Sequence, residues 1–367
     1  MKRIYANLGE AVVREVPEPS VRAGEILVDT AFSTVSTGTE SLILRRSIEN
    51  PGVDEEYPGS EGHWSKIRDG IPGNMFPRPG GGPDIPLGYS ASGVVREVGA
   101  GVLDVYPGME VACSGSQCAH HAQVIAVPRN LVSVLPPGVT LRQGAFVTLG
   151  AIAVESLRKS ETRFGETVVV YGLGLLGLLS AQIAQAAGLR VVGFDIDQGR
   201  LELARSLGIT DVCDPNEAEA NERVLAATGG FGADAVLLSI VSESNTPLNH
   251  ALDLCRQRGT VVGVGVFGMN IDRSRMGGND VVIKQTIAYG PGRYDPRYEE
   301  ESIDYPIGLV RWTEHRNMAY FLRLVAEGKV DVSRLAPDPI PIADAARGYD
   351  LLRSPGRPPT VQFQHTD

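Results

Sequence analysis

Cysteine is scarce in this chain, and clusters of basic residues are absent. The 367 residues include 4 cysteines, too few for a disulfide scaffold at this length, so a reducing compartment is expected. The formal net charge is −10 and Lys and Arg are dispersed, which argues against a nucleic-acid partner, because phosphate backbones are bound by clustered positive charge. The N-terminal residues lack the apolar stretch of a secretory signal. These absences together predict a cytoplasmic protein that binds no nucleic acid.

Charge is also missing between Glu166 and Arg190, over a run long enough to span a bilayer. However, the run contains several glycines, opens with three consecutive valines and is interrupted by Gln182 and Gln185. A buried strand that leads into a buried helix explains this pattern better than a membrane span. We therefore expect no membrane association.

Length and patterning predict an α/β protein with two domains. A chain of 367 residues exceeds the size at which one hydrophobic core keeps growing. Residues 1–145 show short strands separated by turns, whereas strands and helices alternate from Gly165 onward, as in doubly wound parallel sheets. In the alternating part, the predicted strands are 167–171, 191–195, 233–240, 260–266 and 281–288, and the predicted helices are 175–187, 198–207 and 247–257, the last ended by Gly259.

A glycine-rich turn follows the first of these strands and opens the first helix. The pattern G-x-G-x-x-G is weak evidence alone, but a preceding strand and a following helix are the context of a dinucleotide-binding turn. There the first glycine allows the tight turn, the second lets the backbone approach the pyrophosphate, and the third allows close helix–strand packing. The motif predicts cofactor contacts from Gly172, Leu173, Gly174, Leu175, Leu176 and Gly177.

An acidic residue at the end of the next strand favours NAD over NADP. The Asp195 carboxylate can accept hydrogen bonds from ribose hydroxyls and would repel a 2′-phosphate, while Arg200 could pair with that phosphate and keeps NADP open. Ser239 and the residues Gly263, Val264 and Gly265 stand at or near the carboxyl ends of later strands, where ligands of such sheets bind, so they are predicted to border the cofactor.

Several segments resemble the medium-chain dehydrogenase/reductase superfamily, in which the zinc alcohol dehydrogenases belong. They are residues 86–95, 98–101 and 106–111, together with the glycine turn. The resemblance implies a GroES-like, β-rich catalytic domain of residues 1–145 with 291–367, a Rossmann domain of residues 146–290, and a cleft where substrate meets nicotinamide. It also implies a homodimer, with residues 281–288 near the subunit interface.

Residues 289–296 and 304–314 resemble, more narrowly, the dehydrogenase half of bi-domain oxidoreductases linked to sugar and polysaccharide biosynthesis. Those proteins carry a second dehydrogenase-like domain after this one, and the present sequence ends before such a domain. This resemblance implies a polar small-molecule substrate in carbohydrate metabolism and a partner enzyme in a biosynthetic pathway.

The residues that bind catalytic zinc in this superfamily are replaced here. Thr37 stands for the cysteine of the Cys-Gly-x-Asp turn, Tyr89 for the histidine of Gly-His-Glu, and the region of Thr148 also lacks Cys, His and Glu. Hydroxyls do not form a tetrahedral zinc site, so no metal is expected. The remaining cluster, Cys113 and Cys118 with His120 and His121, matches no common zinc spacing.

Without a metal, protein groups must polarise the reacting oxygen and move its proton. Tyr89 is the first candidate for the catalytic donor, and Thr37 could assist it. Both side chains could equally just fill the space that the metal leaves. A third candidate, His63, lies in a Gly- and Pro-rich loop suited to a lid. Other candidates, each open to a structural reading, are Glu40, Arg293, Tyr294, Arg311 and His315.

The sequence thus predicts a zinc-independent NAD(P)(H)-dependent oxidoreductase that interconverts a secondary alcohol and a ketone on a sugar- or cyclitol-like molecule. Two alternatives stay open. One is a quinone or enone reductase, and the other is a non-catalytic dinucleotide-binding redox sensor or subunit.

Overall fold

The computed structural model describes residues 1–49, 84–276, 279–286 and 288–366, and the first part of this chain is rich in strands. Its elements are β1 (Lys2–Asn7), β2 (Glu10–Glu15), β3 (Glu25–Thr34), α1 (Thr37–Glu49), β4 (Ile85–Pro86), β5 (Ser90–Val98), β6 (Glu110–Ser114), β7 (Val124–Pro128), β8 (Val132–Val134) and α2 (Leu141–Gly144).

Strands and helices alternate in the middle of the chain. The elements are α3 (Val147–Ser160), β9 (Thr167–Tyr171), α4 (Leu175–Ala186), β10 (Arg190–Phe194), α5 (Gln198–Ser206), β11 (Val212–Cys213), α6 (Ala220–Ala227), β12 (Ala233–Leu238), β13 (Val241–Ser242), α7 (Thr246–Leu254), β14 (Cys255–Gly263), β15 (Val266–Phe267), α8 (Arg273–Met276) and β16 (Val282–Gln285).

The last part returns to a mixed pattern. It contains α9 (Pro296–Glu299), α10 (Glu314–Ala326), β17 (Ile340–Pro341), α11 (Ala345–Arg353) and β18 (Gln362–Gln364). Among the described helices, none combines the length and apolar character needed to cross a membrane.

The chain divides into two compact units. Unit 1 comprises Met1–Thr148, Gly290–Arg323 and Val332–Asp367, and unit 2 comprises Leu149–Tyr289 and Leu324–Asp331. The sequence-based prediction places all of residues 291–367 in the catalytic domain. The structure instead places residues 324–331 in unit 2. Hydrogen bonds explain it: the Gln182 side chain in α4 accepts the Asp331 N–H at 2.7 Å and donates to the Asp331 carbonyl at 3.2 Å.

Unit 1 is built on antiparallel sheets. The larger has seven strands in the order β17-β18-β3-β5-β6-β8, with β7 also paired to β3, and β2-β1-β4 form a second sheet. The long strand β3 is the centre, because it pairs antiparallel with β5, β7 and β18. One core of this unit gathers side chains from distant parts of the sequence, among them Ile4, Leu44, Leu87, Tyr349 and Phe363.

Unit 2 contains a parallel sheet of six strands in the order β11-β10-β9-β12-β14-β16. The valines 168–170 of β9 are fully buried, as expected for a central strand covered on both faces. Successive strands run outward from β9 in one direction and from β12 in the other, so the strand order reverses between β9 and β12. Ligands of such sheets bind at this reversal, beyond the carboxyl ends of the strands.

One predicted helix boundary is wrong. The helix expected over 247–257, ended by Gly259, spans Thr246–Leu254, and Gly259 lies inside β14, which starts at Cys255. Cys255 pairs with Ala233 of β12, ahead of a register shift between Ala233 and Ala235. This pairing makes β14 begin at Cys255, within the segment predicted as helix. Tertiary pairing thus overrides the local helical pattern.

Candidate active site

Three glycines shape the turn between β9 and α4 in unit 2. Gly172 has a φ of +97°, a left-handed conformation that favours glycine, and a Cβ there would lie 2.7 Å from the Ser239 carbonyl oxygen. A Cβ on Gly177 would lie 1.8 Å from the Gly172 carbonyl oxygen. A Cβ on Gly174 would meet no atom of the described chain within 4 Å. Two glycines therefore hold the turn, and the middle one leaves open space above the backbone.

The residues between these glycines offer backbone groups. The side chains of Leu173 and Leu175 are buried, so their part in a cofactor site is limited to N–H and C=O groups. Gly174 is the N-cap of α4, and the first N–H groups of a helix, here those of Leu175, Leu176 and Gly177, have no partner within the helix. A helix N-terminus of this kind suits an anion such as a pyrophosphate.

The Asp195 carboxylate is fixed beside the turn. One oxygen accepts the Leu173 N–H at 2.7 Å and the other accepts the Asp197 N–H at 2.9 Å. Because a carboxylate has about four lone-pair sites, each oxygen retains acceptor capacity for ribose hydroxyls. Arg200 lies in the first turn of α5, where its own N–H donates to the Asp197 side chain at 3.3 Å.

The ends of β12 and β14 also reach this turn. The Ser239 N–H donates to the Tyr171 carbonyl at 2.8 Å, and the N–H groups of Val264 and Gly265 donate to the Leu238 carbonyl at 3.0 and 2.9 Å. The Ser239 hydroxyl is buried and has no hydrogen-bond partner in the described chain. A buried hydroxyl without a partner is costly unless a ligand completes it. This hydroxyl, the open space at Gly174 and the Asp195 acceptors fit a bound dinucleotide.

The three segments that correspond to zinc-ligand regions come together in unit 1. The Thr148 hydroxyl donates to the Tyr89 carbonyl at 2.9 Å. The Tyr89 hydroxyl lies beside the side chains of Ser36 and Thr39, which flank Thr37 at the start of α1. The sequence-predicted residues Thr37 and Tyr89 are therefore neighbours in the fold.

Most hydroxyls of this group are committed to protein acceptors. Thr37 donates to the Pro359 carbonyl at 2.9 Å, and Ser90 donates to the Ala145 carbonyl at 2.7 Å. Ser114 and Thr148 share a hydrogen bond of 2.7 Å. Zinc requires thiolate, imidazole or carboxylate ligands, so this set of donors does not fit the metal.

Tyr89 differs from the other members because the side chains beside its phenol, Ser36 and Thr39, carry hydroxyls, which can both donate and accept. Burial raises the pKa of Tyr89 to about 12, the bonds from Ser36 and Thr39 oppose the rise, and the charge of Glu40 adds to it. The phenol is therefore neutral at physiological pH and retains a proton to donate.

Glu40 anchors α1 through a buried chain of hydrogen bonds. Its carboxylate accepts from the Tyr349 hydroxyl at 2.5 Å and contacts His121 Nε2 at 3.1 Å. His121 Nδ1 bonds the Ser33 hydroxyl at 2.7 Å, which bonds His365 Nε2 at 2.7 Å. Burial lowers the pKa of His365 to about 3. The candidate Glu40 thus contacts Tyr349 of α11 and His121 directly, and His121 connects it to Ser33 of β3 and through Ser33 to His365.

The Cys–His cluster has ordinary structural contacts. Cys113 is buried in β6, and the Cys118 thiol contacts the Ser114 carbonyl at 3.5 Å. Burial lowers the pKa of His120 to about 3. Within the ranges that the structure describes, no group of three or more His, Cys, Asp or Glu side chains could hold a metal ion.

The remaining predicted residues fall into separate places. His63 lies outside the described residues. Arg293 pairs with Glu299 and donates to the Ser116 hydroxyl at 2.7 Å, and Arg311 lies over the Trp312 ring at 4.1 Å. Burial lowers the pKa of His315 to about 4.

Sequence reasoning missed the side chains that surround Tyr89. Ser36 and Thr39 carry no recognisable pattern, since two hydroxyl residues beside a turn are common. Glu314, a fully buried carboxyl at the start of α10, was also missed. The available signal was its position at the end of the family-specific segment 304–314.

Comparison with known families and proteins agrees with this geometry. Residues 176–305 match the family model described as zinc-binding dehydrogenase. A probable D-xylulose reductase A of Aspergillus terreus is 25% identical over 300 residues, which cover 73% of this chain and 78% of that protein. D-guloside 3-dehydrogenase of Escherichia coli K12 is 24% identical over 363 residues, which cover 95% of both chains.

A solved structure shows the same fold across the chain. The crystal structure of 2R,3R-butanediol dehydrogenase from Bacillus subtilis matches with a TM-score of 0.75 and 19% identity, covering 99% of each chain. This match confirms the predicted α/β class, with a Rossmann-like parallel sheet and a β-rich portion.

Proposed function

We propose that the chain is a member of the medium-chain dehydrogenase/reductase superfamily, a class of NAD(P)-dependent oxidoreductases, and that it interconverts a secondary alcohol and a ketone without zinc. The proposal that no zinc takes part rests on one observation. Thr37, Tyr89 and Thr148, which stand at the zinc-ligand positions, lie together in a cluster of hydroxyl side chains. NAD, when bound, supplies or accepts the hydride. The protein contributes binding, orientation and proton handling.

In this proposal, Tyr89 donates a hydrogen bond to the substrate oxygen. A ketone that accepts a hydride develops negative charge on its oxygen, and a fixed neutral donor stabilises that charge. With a pKa raised to about 12 by burial, the phenol stays protonated at physiological pH and suits this part. Thr37, whose proton is held by the Pro359 carbonyl, positions the turn that contacts Tyr89.

The cofactor contacts are proposed on the geometry of unit 2. The pyrophosphate is assigned to the backbone of residues 172–177, the ribose hydroxyls to Asp195, and Ser239 with residues 263–265 to the border of the same site. A carboxylate at the ribose repels a 2′-phosphate, which favours NAD over NADP. Arg200 is the residue through which NADP could still be accommodated.

We propose a sugar- or cyclitol-like substrate and a cytoplasmic role in carbohydrate biosynthesis beside a partner enzyme. Two relatives are named for sugar chemistry, a D-xylulose reductase and a D-guloside 3-dehydrogenase, which supports this class. The segments 289–296 and 304–314 support it independently through their resemblance to sugar-linked oxidoreductases.

We propose that the protein is a homodimer that associates through β16. This strand stands at the edge of the six-stranded sheet, and Val282 within it is 47% exposed. An exposed edge strand with apolar side chains is a natural pairing surface for a second chain.

The test of the proposed function compares Tyr89→Phe with Tyr106→Phe. Loss of the Tyr89 hydroxyl should lower kcat for NADH-linked ketone reduction by about 100-fold or more, the usual effect of removing an oxyanion donor, and leave the Kd for NADH unchanged. Tyr106 is 55% exposed and donates to the Leu103 carbonyl, so its variant is the matched control. Stopped-flow and steady-state kinetics on a panel of ketoses, enones and quinones give the readout.

Three results would change the assignment. If Tyr89→Phe leaves every NADH-linked rate unchanged, Tyr89 is not the donor. Turnover of enones or quinones but no ketose would favour the reductase alternative. Tight NADH binding without any turnover would favour a redox sensor.

A further inference from the structure

Two short segments of unit 1 meet at the Tyr89 phenol. The first is the start of α1, where the side chains of Ser36 and Thr39 lie beside the phenol. The second is the segment of residues 87–89, which carries Tyr89 itself. The position of the phenol relative to the two hydroxyl side chains therefore depends on what joins these segments.

Glu40 holds the first segment. One carboxylate oxygen accepts the Ser36 N–H at 2.8 Å, and the Glu40 N–H donates to the Ser36 carbonyl at 2.9 Å. The other oxygen accepts from the Tyr349 hydroxyl and, at 3.1 Å, from His121 Nε2, because a carboxylate can only accept. The turn that carries Ser36 and Thr39 is thus closed on Glu40 by its backbone and its side chain.

His121 holds the second segment. Its N–H donates to the Leu87 carbonyl at 2.9 Å. Gly88 has a φ of +93°, and a Cβ there would lie 2.5 Å from the His121 backbone nitrogen and 2.7 Å from its ring Cγ. The residue that precedes Tyr89 is therefore packed directly against the histidine, at a distance that only glycine allows.

The contact between Glu40 and His121 joins the two segments. The side chains are 1% and 0% exposed, and the imidazole is fixed further by the Ser33 hydroxyl at 2.7 Å and by the Phe363 ring, edge-on at 5.2 Å. Burying such a polar pair is costly unless its geometry is good, and apolar side chains of similar volume often stabilise a fold as well. The geometry that the pair imposes therefore explains it better than the stability that it adds.

Glu40 also acts on the phenol through its charge. Burial raises the pKa of Tyr89 to about 12, and the Glu40 charge adds to the rise. In the described chain, the titratable side chains that face this carboxylate are those of Tyr89, His121 and Tyr349. His365 lies one hydrogen-bonded step farther, and burial lowers its pKa to about 3, so it is neutral at neutral pH. The same pair that joins the segments thus helps to keep the phenol protonated.

We propose that Glu40 and His121 are positioning residues that join the start of α1 to residues 87–89 and so hold the Tyr89 phenol where it donates to the substrate oxygen. Neither side chain contacts the substrate, and both act through Tyr89. The proposal rests on the proposed function for the reaction, but the position of the phenol is measurable without turnover.

The kinetic test uses two single variants in NADH-linked ketone reduction. Glu40→Gln removes the charge and keeps an oxygen for the Ser36 N–H, and His121→Phe keeps a ring against Gly88 but loses the contact with Glu40. Each should lower kcat by about ten-fold or more, because a small displacement of a catalytic group is costly, and leave KM and the Kd for NADH within about two-fold. An unchanged kcat in both variants would overturn the proposal.

Double variants separate positioning from general damage. In the Tyr89→Phe background, either substitution should lower kcat by less than about two-fold more, because no hydroxyl remains to be positioned. Equal losses in both backgrounds would identify a merely structural pair. Val105→Ala is the control for lost stability: its side chain is fully buried in unit 1, so it should lower the melting temperature by about 2–6 °C and leave kcat within about two-fold.

Nuclear magnetic resonance of the full chain, with isotope-labelled tyrosine, follows the phenol without turnover. The Tyr89 resonance is identified by its loss in Tyr89→Phe. It should shift or broaden in Glu40→Gln and in His121→Phe, and it should stay in place in Val105→Ala. An unchanged resonance in both variants, or failure of both to fold, would overturn the proposal. If the wild type reduces no ketone while the resonance still moves, the proposed function fails and the positioning pair stands.

Discussion

In the proposed mechanism, side-chain hydroxyls stand where related enzymes have metal ligands. The hydrogen bonds of each hydroxyl indicate whether its proton is available to a substrate. Thr37 and Thr148 donate to the Pro359 and Tyr89 carbonyls, at 2.9 Å in both cases. The Tyr89 phenol instead lies beside the hydroxyls of Ser36 and Thr39, which can accept as well as donate, so its proton is not committed to a carbonyl in the described contacts. This difference favours Tyr89 over Thr37 as the group that contacts the substrate oxygen.

Asp195→Ala is the residue-scale prediction for the cofactor. The Kd for NADH should rise by about 10–100-fold, because hydrogen bonds to a charged acceptor are worth about 1.5–3 kcal/mol. The preference for NADH over NADPH should fall as well, because the charge that repels a 2′-phosphate is gone. Fluorescence titration with both cofactors measures the two effects.

Two further variants control for local damage to the turn. Asp195→Asn keeps one oxygen for the Leu173 N–H, so it should lose NADH affinity with little change in fold. Asp197→Ala removes the N-cap of α5 and should cost about 1 kcal/mol of stability without changing cofactor preference. An unchanged NADH-to-NADPH ratio in Asp195→Ala would remove Asp195 from the ribose site.

Among the elements, the parallel sheet was the most predictable part. The predicted strand 167–171 coincides with β9, and the helix predicted over 175–187 spans Leu175–Ala186, because a valine run and a capping glycine leave few alternatives. Helix α1 was not predicted, since its polar first turn is held by buried contacts of Glu40 with Tyr349 and His121. Such contacts join residues far apart in sequence and leave no local pattern.

In the candidate site, too, local features could be predicted from the sequence and long-range contacts could not. The glycine turn was predictable because backbone geometry demands those residues, as at Gly177 with its contact to the Gly172 carbonyl. The side chains beside Tyr89 and the contact of Glu40 with His121 were not, since both depend on which distant segments meet.

Gly174→Ala and Gly177→Ala form an element-scale prediction for the β9–α4 turn. A methyl at Gly174 meets open space, so the melting temperature should stay unchanged while NADH affinity falls by about ten-fold or more, because the backbone can no longer approach the pyrophosphate. A methyl at Gly177 would lie 1.8 Å from a carbonyl oxygen, so this variant should lose stability first. Calorimetry paired with NADH titration measures both; equal NADH affinity in Gly174→Ala and the wild type would contradict the assignment.

For the whole molecule, the exposed edge of unit 2 predicts a dimer. Val282 in β16 at this edge is 47% exposed, and burial in an interface would remove this apolar side chain from water. Sedimentation velocity should show twice the chain mass for the wild type and a shift toward monomer for Val282→Asp. Leu103→Asp, at an 80% exposed position of unit 1, should leave the mass unchanged. A monomeric wild type would refute the prediction.

The central claim is that this chain performs its hydride chemistry with protein hydroxyls and without zinc. The most direct measurement is the NADH-linked reduction of D-xylulose by protein that has been treated with a chelator and dialysed, with its metal content determined alongside. The account predicts the same kcat before and after treatment and no stimulation by added Zn²⁺. Loss of activity on chelation, restored by about one equivalent of Zn²⁺ per chain, would contradict it.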